Sequence, residues 1–249
     1  MSKKKVSVKS FINEFQNHSS ELDNVVDSFS EKFSIDDLIL NDSNFSQHTK
    51  LKNILDSCSS CQLSDAYFGL YGKSGVIKGL KSINGKKVYG RVFTAKTDSD
   101  DWGTSILAID SANPGDFLLI EVSDSDFAIW GELASTYADN SGISGVAIYG
   151  ASRDVDVLPD LDFPVFSLGS VPNAGSALGD GELGVDLEID GEIISSGDFI
   201  FGDVNGVVVI PKDLFSGVIY QTGVIKSKEL EIIKDMEKGK SLSDIVFSR

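Results

Sequence analysis

Three polar side chains stand where the sequence could bind a small anion or a metal ion. Glu132 follows Gly131 at the start of a predicted helix, and Arg153 and Asp154 follow the apolar run of residues 145–150. In open α/β sheets, ligands bind beyond the carboxyl ends of the strands, and a nearby helix N-terminus offers free N–H groups. The sequence therefore predicts that these side chains share one site.

The residue types favour a 2-oxo acid as the ligand of this site. The Arg153 guanidinium presents a fork that matches a carboxylate, and Asp154 is a hard oxygen ligand suited to Mg²⁺. The carboxylate would bind Arg153 and the helix N–H groups, and the oxo group would bind the metal. Spacing alone favours a simpler explanation, a surface ion pair, because an Arg-Asp dipeptide is common.

The surrounding elements alternate between strands and helices. Strands are predicted over residues 88–97, 117–122, 145–150 and 164–168, and helices are predicted between them over residues 104–112 and 131–141. This alternation is typical of βαβ units and indicates a parallel sheet. Residues 183–211 contain short strands joined by Gly-containing turns, which predicts a second, mostly antiparallel sheet. An amphipathic helix with a break at Gly239 is predicted over residues 226–246.

Residues 1–54 differ in composition from the rest, since they contain no glycine. Apolar residues recur there at spacings of three and four, which favours short amphipathic helices. We therefore predict a helical N-terminal extension over residues 1–54, packed on the main domain or on a neighbouring subunit, and a main domain with a C-terminal helix over residues 55–249. The alternative is a partly disordered tail.

Cys58 and Cys61 form a C-x-x-C pair, which we interpret as two partly buried thiols near a helix end. Two ligands do not complete a structural zinc site, and the histidines lie upstream without the usual spacing. The next helix is predicted to begin near Leu63, with Ser64 or Asp65 as its N-cap.

Charge and hydropathy exclude several classes of function. The chain of 249 residues has a net charge of −16, which repels phosphate backbones and argues against direct binding of nucleic acid. No apolar run approaches the ~20 residues that a membrane span needs, and no secretory signal is visible. We therefore predict a cytoplasmic protein with no membrane partner.

An ordered series of short motifs resembles the RraA-like family, which includes regulators of ribonuclease activity and metal-dependent 4-hydroxy-4-methyl-2-oxoglutarate aldolases. The family pattern places Gly-Asp/Glu at a set interval before Gly-x-x-Arg-Asp, matched here by Gly131-Glu132 and by residues 150–154. The other motifs in family order are Leu63-Ser64-Asp65-Ala66, Pro114-Gly115-Asp116, Phe163-Pro164-Val165-Phe166, Gly197-Asp198 and Gly206-Val207-Val208-Val209-Ile210-Pro211. The resemblance spans roughly three quarters of the chain.

The resemblance implies a role for each residue of the site. Arg153 would bind the substrate carboxylate and support an enolate, and Asp154 would be the direct ligand of the metal. Glu132 would orient a metal-bound water, one candidate proton carrier. The backbone N–H groups of Leu133 and Ala134 would complete the anion pocket.

One catalytic acid is implied to come from the C-terminal helix of a neighbouring subunit. Glu229 matches that position best and Glu231 is a weaker candidate. A solvated helix charge explains Glu229 equally well. The sequence departs from the family pattern at Asp203-Val204-Asn205-Gly206, where the family often has a second aspartate.

The implied fold is a three-layer β/β/α swivelling-type domain, assembled as a homotrimer or hexamer. The implied function is a lyase that uses Mg²⁺, or else Mn²⁺, in retro-aldol cleavage of 4-hydroxy-2-oxo acids or in oxaloacetate decarboxylation. Both reactions pass through the enolate of pyruvate. The alternative is a regulator that binds and inhibits a ribonuclease without catalysis.

Overall fold

The computed structural model describes residues 32–38 and 45–247, so the helices predicted within residues 1–31 lie outside the described residues. The helices are α1 (Phe45–Ser57), α2 (Ser60–Tyr71), α3 (Gly103–Ser111), α4 (Glu132–Asn140), α5 (Phe215–Glu237) and α6 (Leu242–Phe247), with 3-10 turns at Ile35–Leu38, Leu158–Asp160 and Lys212–Leu214. The strands are β1 (Lys81–Ser82), β2 (Val88–Thr97), β3 (Asp116–Val122), β4 (Ala128–Trp130), β5 (Gly145–Ser152), β6 (Val165–Ser170), β7 (Glu182–Leu183), β8 (Leu187–Ile189), β9 (Glu192–Ile194), β10 (Phe199–Asp203) and β11 (Gly206–Ile210).

One sheet of nine strands forms the frame of the molecule. Its main path runs β1-β6-β5-β3-β2-β10-β11, with β4 paired to β5 and β7 paired to β2. Strands β2, β3, β5 and β6 are parallel neighbours. Because α3 and α4 connect these strands, the predicted βαβ units and parallel sheet are confirmed.

The prediction of a second antiparallel sheet over residues 183–211 is wrong for most of that segment. β10 pairs antiparallel with β2, and β11 pairs with β10, so both strands extend the main sheet. Only β8 and β9 form a separate hairpin within the described residues. The reason is the length of β2, whose edge opposite β3 has room for both β10 and β7.

The sheet curls until its two ends nearly meet. Val76 bridges Val208 on β11, and the chain then runs to β1, which pairs with β6 at the opposite end. One apolar cluster fills the face of the sheet under α3 and α4. A second fills the opposite face of the sheet, together with the β8–β9 hairpin. A third lies beneath α1, α2 and α5. This mixed α/β architecture with a nearly closed sheet confirms the predicted fold class.

Helix α2 begins earlier than the sequence predicted. Ser59 is its N-cap in a capping box with Gln62, so the predicted caps Ser64 and Asp65 lie inside the helix. Asp203 on β10 adds a long-range cap, because the Ser60 N–H and hydroxyl donate to its carboxylate at 2.9 and 2.7 Å.

Helix α5 also begins before the predicted residue 226, at Phe215. The first turns bury Phe215, Val218 and Ile219 against the β10 and β11 side of the sheet. Gly217 and Gly223 lie in the same stretch and lower its helix propensity, which explains why the sequence pattern did not reveal it.

The predicted boundary between the N-terminal extension and the main domain, at residues 54 and 55, lies inside helix α1. That boundary stays a prediction. The helix packs Leu51, Ile54 and Leu55 into the core, and Lys226 donates to the carbonyl of Ser57 at its C-terminus. A cation at this end complements the helix dipole.

The two cysteines differ in environment. Cys58 is buried, and burial raises the pKa of its thiol to about 11. Cys61 is exposed in the first turn of α2, so the prediction that both thiols are partly buried is wrong for Cys61.

Within residues 32–38 and 45–247, no helix is both long and apolar enough to cross a bilayer.

A buried carboxylate, Asp101, fastens the loop before β7 to the start of α3. Its oxygens accept hydrogen bonds from both segments, namely from Gly103 N (2.9 Å), Thr104 Oγ1 (2.7 Å), Leu178 N (3.0 Å), Gly179 N (2.8 Å) and Asp180 N (3.0 Å). Burial raises the pKa of Asp101, but the N–H groups of Gly179 and Asp180 and the Thr104 hydroxyl outweigh it. The net result is a pKa well below the usual range of an aspartate.

We expect Asp101→Asn to lower the free energy of unfolding at pH 7 by roughly 2–4 kcal/mol, since hydrogen bonds to a charged group contribute about 1.5–3 kcal/mol each. A carboxyl with a depressed folded pKa stabilises the protein above its unfolded pKa of about 3.9, and that contribution is lost as the pH falls. Urea denaturation at pH 7 and pH 3 should therefore show a smaller difference between variant and wild type at pH 3.

The matched control is Asp98→Asn, at an exposed carboxylate just before Asp101, which we expect to change stability by no more than about 0.5 kcal/mol. Equal losses in the two variants, or a difference independent of pH, would contradict the assigned role of Asp101.

Candidate functional site

Strand β4 brings the predicted site residues together. It pairs in parallel with the end of β5, with Trp130 opposite Ser152, and the Arg153 N–H donates to the Trp130 carbonyl at 2.9 Å. The residues that follow the two strands, Glu132 and Asp154 among them, must therefore emerge side by side. The structure brings Arg153 and Asp154 together with the backbone N–H of Glu132, and the predicted meeting of all three side chains stays a prediction.

Asp154 caps helix α4 from a distance of 22 residues in sequence. Its Oδ2 accepts the Glu132 N–H at 3.0 Å, and the preceding residue, Gly131, provides no side-chain cap. The backbone of Asp154 is left-handed, with φ of 58°, a conformation that aspartate tolerates better than most residues. Its carbonyl accepts the N–H groups of Val157 and Leu158, which holds this turn in place.

Gly131 leaves the space that the carboxylate occupies. A Cβ added at Gly131 would lie 2.3 Å from Asp154 Oδ2 and 3.0 Å from Arg153 Cγ. The backbone of Gly131 is extended, with φ of −165°, so steric room and not backbone freedom accounts for the glycine. The Gly-Glu pair of the sequence motif thus has a geometric reason.

A cavity of about 150 Å³ opens beside Arg153 and Asp154. Arg153 is 42% exposed, and its Nε lies 3.6 Å from Asp154 Oδ2, which leaves the end of the guanidinium available to a ligand. The cavity is lined by Trp102, Ile106, Ala128, Ile129, Trp130, Gly131, Leu133, Ala134, Arg153, Asp154 and Ala174. Leu133 and Ala134 line the same cavity and lie in the first turn of α4. Their backbone N–H groups have no intrahelical partner.

The donor set at this cavity fits a hydrated divalent cation. Asp154 is 35% exposed, both of its side-chain contacts within the described residues use Oδ2, and Oδ1 stays free to bind. Among residues 32–38 and 45–247, no group of three or more carboxylate, histidine or cysteine ligands converges on one point. Mg²⁺ needs no such group, because it keeps several waters and binds through one or two carboxylates.

Glu229 lies apart from this cavity in the same chain. It is on α5, where Gln62 Nε2 of α2 donates to its Oε2 at 2.6 Å. The role implied for Glu229 concerns the site of a neighbouring subunit, so it stays a prediction.

Sequence reasoning missed the walls of the cavity. Trp102 and Ile106 come from the start of α3, and Ala174 comes from the loop that Asp101 holds. Asp101 stands before an apolar helix, a typical cap position, but its contacts with residues 178–180 gave no sequence signal. These residues are far apart in sequence and meet only through the packing of the loop on α3.

A comparison with protein families identifies the family of this chain. The model of the RraA-like family, described as Aldolase/RraA, matches residues 60–209. The chain belongs to the RraA-like family, as its motifs predicted.

Two relatives match most of the chain. An uncharacterized protein of Methanocaldococcus jannaschii is 39% identical over 199 residues, covering 78% of this chain and 92% of its own length. A protein of Halalkalibacterium halodurans named "Putative 4-hydroxy-4-methyl-2-oxoglutarate aldolase" is 31% identical over 201 residues, covering 80% of this chain and 90% of its own length.

Solved structures share the fold. The crystal structure of an uncharacterized protein from Pseudomonas syringae has a TM-score of 0.69 and 28% identity, covering 80% of this chain and 94% of that one. The RNA-processing inhibitor RraA from Thermus thermophilis has a TM-score of 0.54 and 24% identity, covering 59% of this chain and 92% of that one. At that identity the second likeness shows the fold alone.

We expect Gly131→Ala to destabilise the protein by about 1–3 kcal/mol, because the new methyl group must displace the Asp154 carboxylate that caps α4. The measurement is urea denaturation followed by circular dichroism. Gly69→Ala is the control, since a Cβ there meets nothing within 4 Å inside α2 and should stabilise the helix by up to about 1 kcal/mol. A Gly131→Ala protein as stable as wild type would show that the carboxylate does not need this space.

Proposed function

We propose that this protein is a divalent-metal-dependent lyase that cleaves a carbon–carbon bond of a 2-oxo acid and forms the enolate of pyruvate. The observation that carries the proposal is the convergence of Arg153 and Asp154 on the first turn of α4 at the edge of a cavity. Relatives named as aldolases support the same class of reaction.

Arg153 would bind the carboxylate of the substrate. Its guanidinium offers two parallel N–H donors that match the two carboxylate oxygens. The N–H groups of Leu133 and Ala134 would add donors from the positive end of α4. The N–H groups of α4 are fixed by the fold before the substrate arrives, so they would also stabilise negative charge that develops on the enolate.

Asp154 would hold the metal ion, for which Mg²⁺ is the best match and Mn²⁺ the second. When bound, the cation supplies Lewis-acid polarisation of the 2-oxo group. Glu132 stands exposed in the first turn of α4, beside Asp154, where its carboxylate would orient a water molecule and carry a proton. Glu229 of a neighbouring subunit in a homotrimer or hexamer would supply a further acid.

The first test is pyruvate release from oxaloacetate and from 4-hydroxy-4-methyl-2-oxoglutarate, with Mg²⁺ and with EDTA. We expect turnover with Mg²⁺ and none with EDTA, and a loss of at least about 100-fold in kcat/KM for Asp154→Ala and Arg153→Ala. Asp156→Asn is the matched control, because Asp156 is an exposed carboxylate two positions away. Full activity in Arg153→Ala would sink the proposed mechanism.

A second candidate is a regulator that binds a ribonuclease. It is favoured by the net charge of −16, which suits a basic partner, and by fold neighbours named as RraA proteins. For this role, purified ribonuclease should be inhibited equally by wild type and Asp154→Ala, with weaker inhibition at high salt. Inhibition that disappears in Asp154→Ala, or none at all, would count against a separate regulatory surface.

A further inference from the structure

We propose that a second cavity, which shares no lining residue with the one beside Arg153, binds a guanidinium group on a short alkyl stem. This cavity measures about 140 Å³ and lies between the loop that follows α2 and the β8–β9 hairpin. Since it is separate from the proposed lyase site, its ligand does not depend on the proposed function.

Tyr67 brings an unpartnered polar group to the wall of this cavity. It follows Leu63 and Ala66 on the buried face of α2, and it is only 4% exposed. In the part of the chain that the structure describes, its hydroxyl has no hydrogen-bond partner. A buried hydroxyl without a partner costs free energy, so a ligand that donates to its oxygen is favoured.

Two carboxylates act on the Tyr67 hydroxyl from the same cavity, which Glu192 and Asp198 also line. Burial raises the pKa of Tyr67, and Lys73 partly offsets that effect. The negative charges of Glu192 and Asp198 raise the pKa further. The hydroxyl therefore lies on the side of the ring that faces these carboxylates, and it stays neutral at pH 7, where its oxygen can accept a hydrogen bond.

Carboxylates outnumber cations among the residues that line this cavity. Asp190, Glu192 and Asp198 carry the negative charges, and Lys78 carries the positive one. Lys73 lies outside the lining, and its ammonium already donates to Glu192 at 2.5 Å. A positively charged ligand is attracted to the excess of negative charge, and the attraction is stronger inside a cavity because the local dielectric constant is lower than in water.

The acceptors at the cavity are held in place by the backbone. Asp198 is 7% exposed, and its two oxygens accept the N–H groups of Ser195 at 2.9 Å and Lys212 at 3.0 Å. Because each carboxylate oxygen can accept two hydrogen bonds, Asp198 keeps acceptor positions for a ligand. Asp190 accepts the Lys78 N–H at 2.8 Å, which ties the hairpin to the loop. Groups fixed before a ligand arrives reduce the entropy cost of binding.

A guanidinium matches these acceptors better than an ammonium does. Its five N–H donors lie in one plane and serve several acceptors at once, and its weaker hydration makes it easier to remove from water. The walls behind the acceptors are apolar and buried, namely Ile77, Ile189, Ile194 and Val209. Each methylene of a stem that leaves water against these side chains favours binding.

The test is saturation-transfer difference NMR of the intact protein with n-butylguanidinium at constant ionic strength. We expect a dissociation constant of about 1 mM or below, which is within reach of so small a ligand. Methylguanidinium lacks most of the stem, and pentanoate carries a carboxylate in place of the cation. Both should bind at least about tenfold more weakly. Equal binding of pentanoate and n-butylguanidinium, or binding of neither, would overturn the proposal.

Two pairs of variants locate the ligand. Tyr67→Phe removes only a hydroxyl that has no partner, so it should leave the melting temperature unchanged and weaken binding at least about fivefold. Tyr71→Phe is its matched control, because Tyr71 is an exposed tyrosine of the same helix outside the cavity. Glu192→Gln should weaken binding at least about threefold, and Glu188→Gln, at an exposed carboxylate of the same hairpin outside the cavity, should not. Equal losses within either pair would indicate general attraction to an acidic protein and overturn the site.

A guanidinium on an alkyl stem can come from a free small molecule or from an arginine side chain of a protein. N-acetylarginine amide separates these sources, because its stem is joined to a blocked peptide unit. Binding within about threefold of n-butylguanidinium would support the site with an arginine side chain as its ligand. Binding of n-butylguanidinium alone would support the site with a free small molecule as its ligand.

Discussion

The candidate site depends on the pairing of β4 with the end of β5. This short parallel pair places Gly131 and Glu132 beside Arg153 and Asp154, and the hydrogen bond from the Glu132 N–H to Asp154 then joins the two segments. The same carboxylate is therefore held by the start of α4 and kept beside the cavity. A group fixed in this way can meet a ligand without first losing conformational freedom, which is what a preorganised site requires.

Carboxylates that accept backbone N–H groups recur through this acidic chain. Asp154 caps α4, Asp203 caps α2, and Asp101 joins α3 to the loop at residues 178–180. Burial raises the pKa of Asp101 and Asp203, but the donated hydrogen bonds lower both pKa values below the usual range. A negative charge at a helix N-terminus is stabilised by the helix dipole, so part of the net charge of −16 stabilises the fold.

The family motifs account for one part of the candidate site, and the cavity walls form another part. Membership of the RraA-like family accounts for the Gly131-Glu132 and Arg153-Asp154 pairs. The walls of the cavity beside Arg153, with Trp102 and Ile106 among them, come from other segments of the chain. Because the walls come from other segments than these pairs, substitutions in the walls can change the shape of the cavity while the pairs stay in place.

The sequence by itself determined the parallel strands, the family, and the position of Arg153 and Asp154 after a buried strand, because these features follow from local periodicity and short motifs. The tertiary structure decided that β10 and β11 extend the main sheet, that Asp203 caps α2, and that Trp102 and Arg153 line one cavity. Each of these features brings together residues that are far apart in the chain, and the contact depends on how complete elements pack. A local pattern carries no information about such a contact, since the same residues suit many different neighbours.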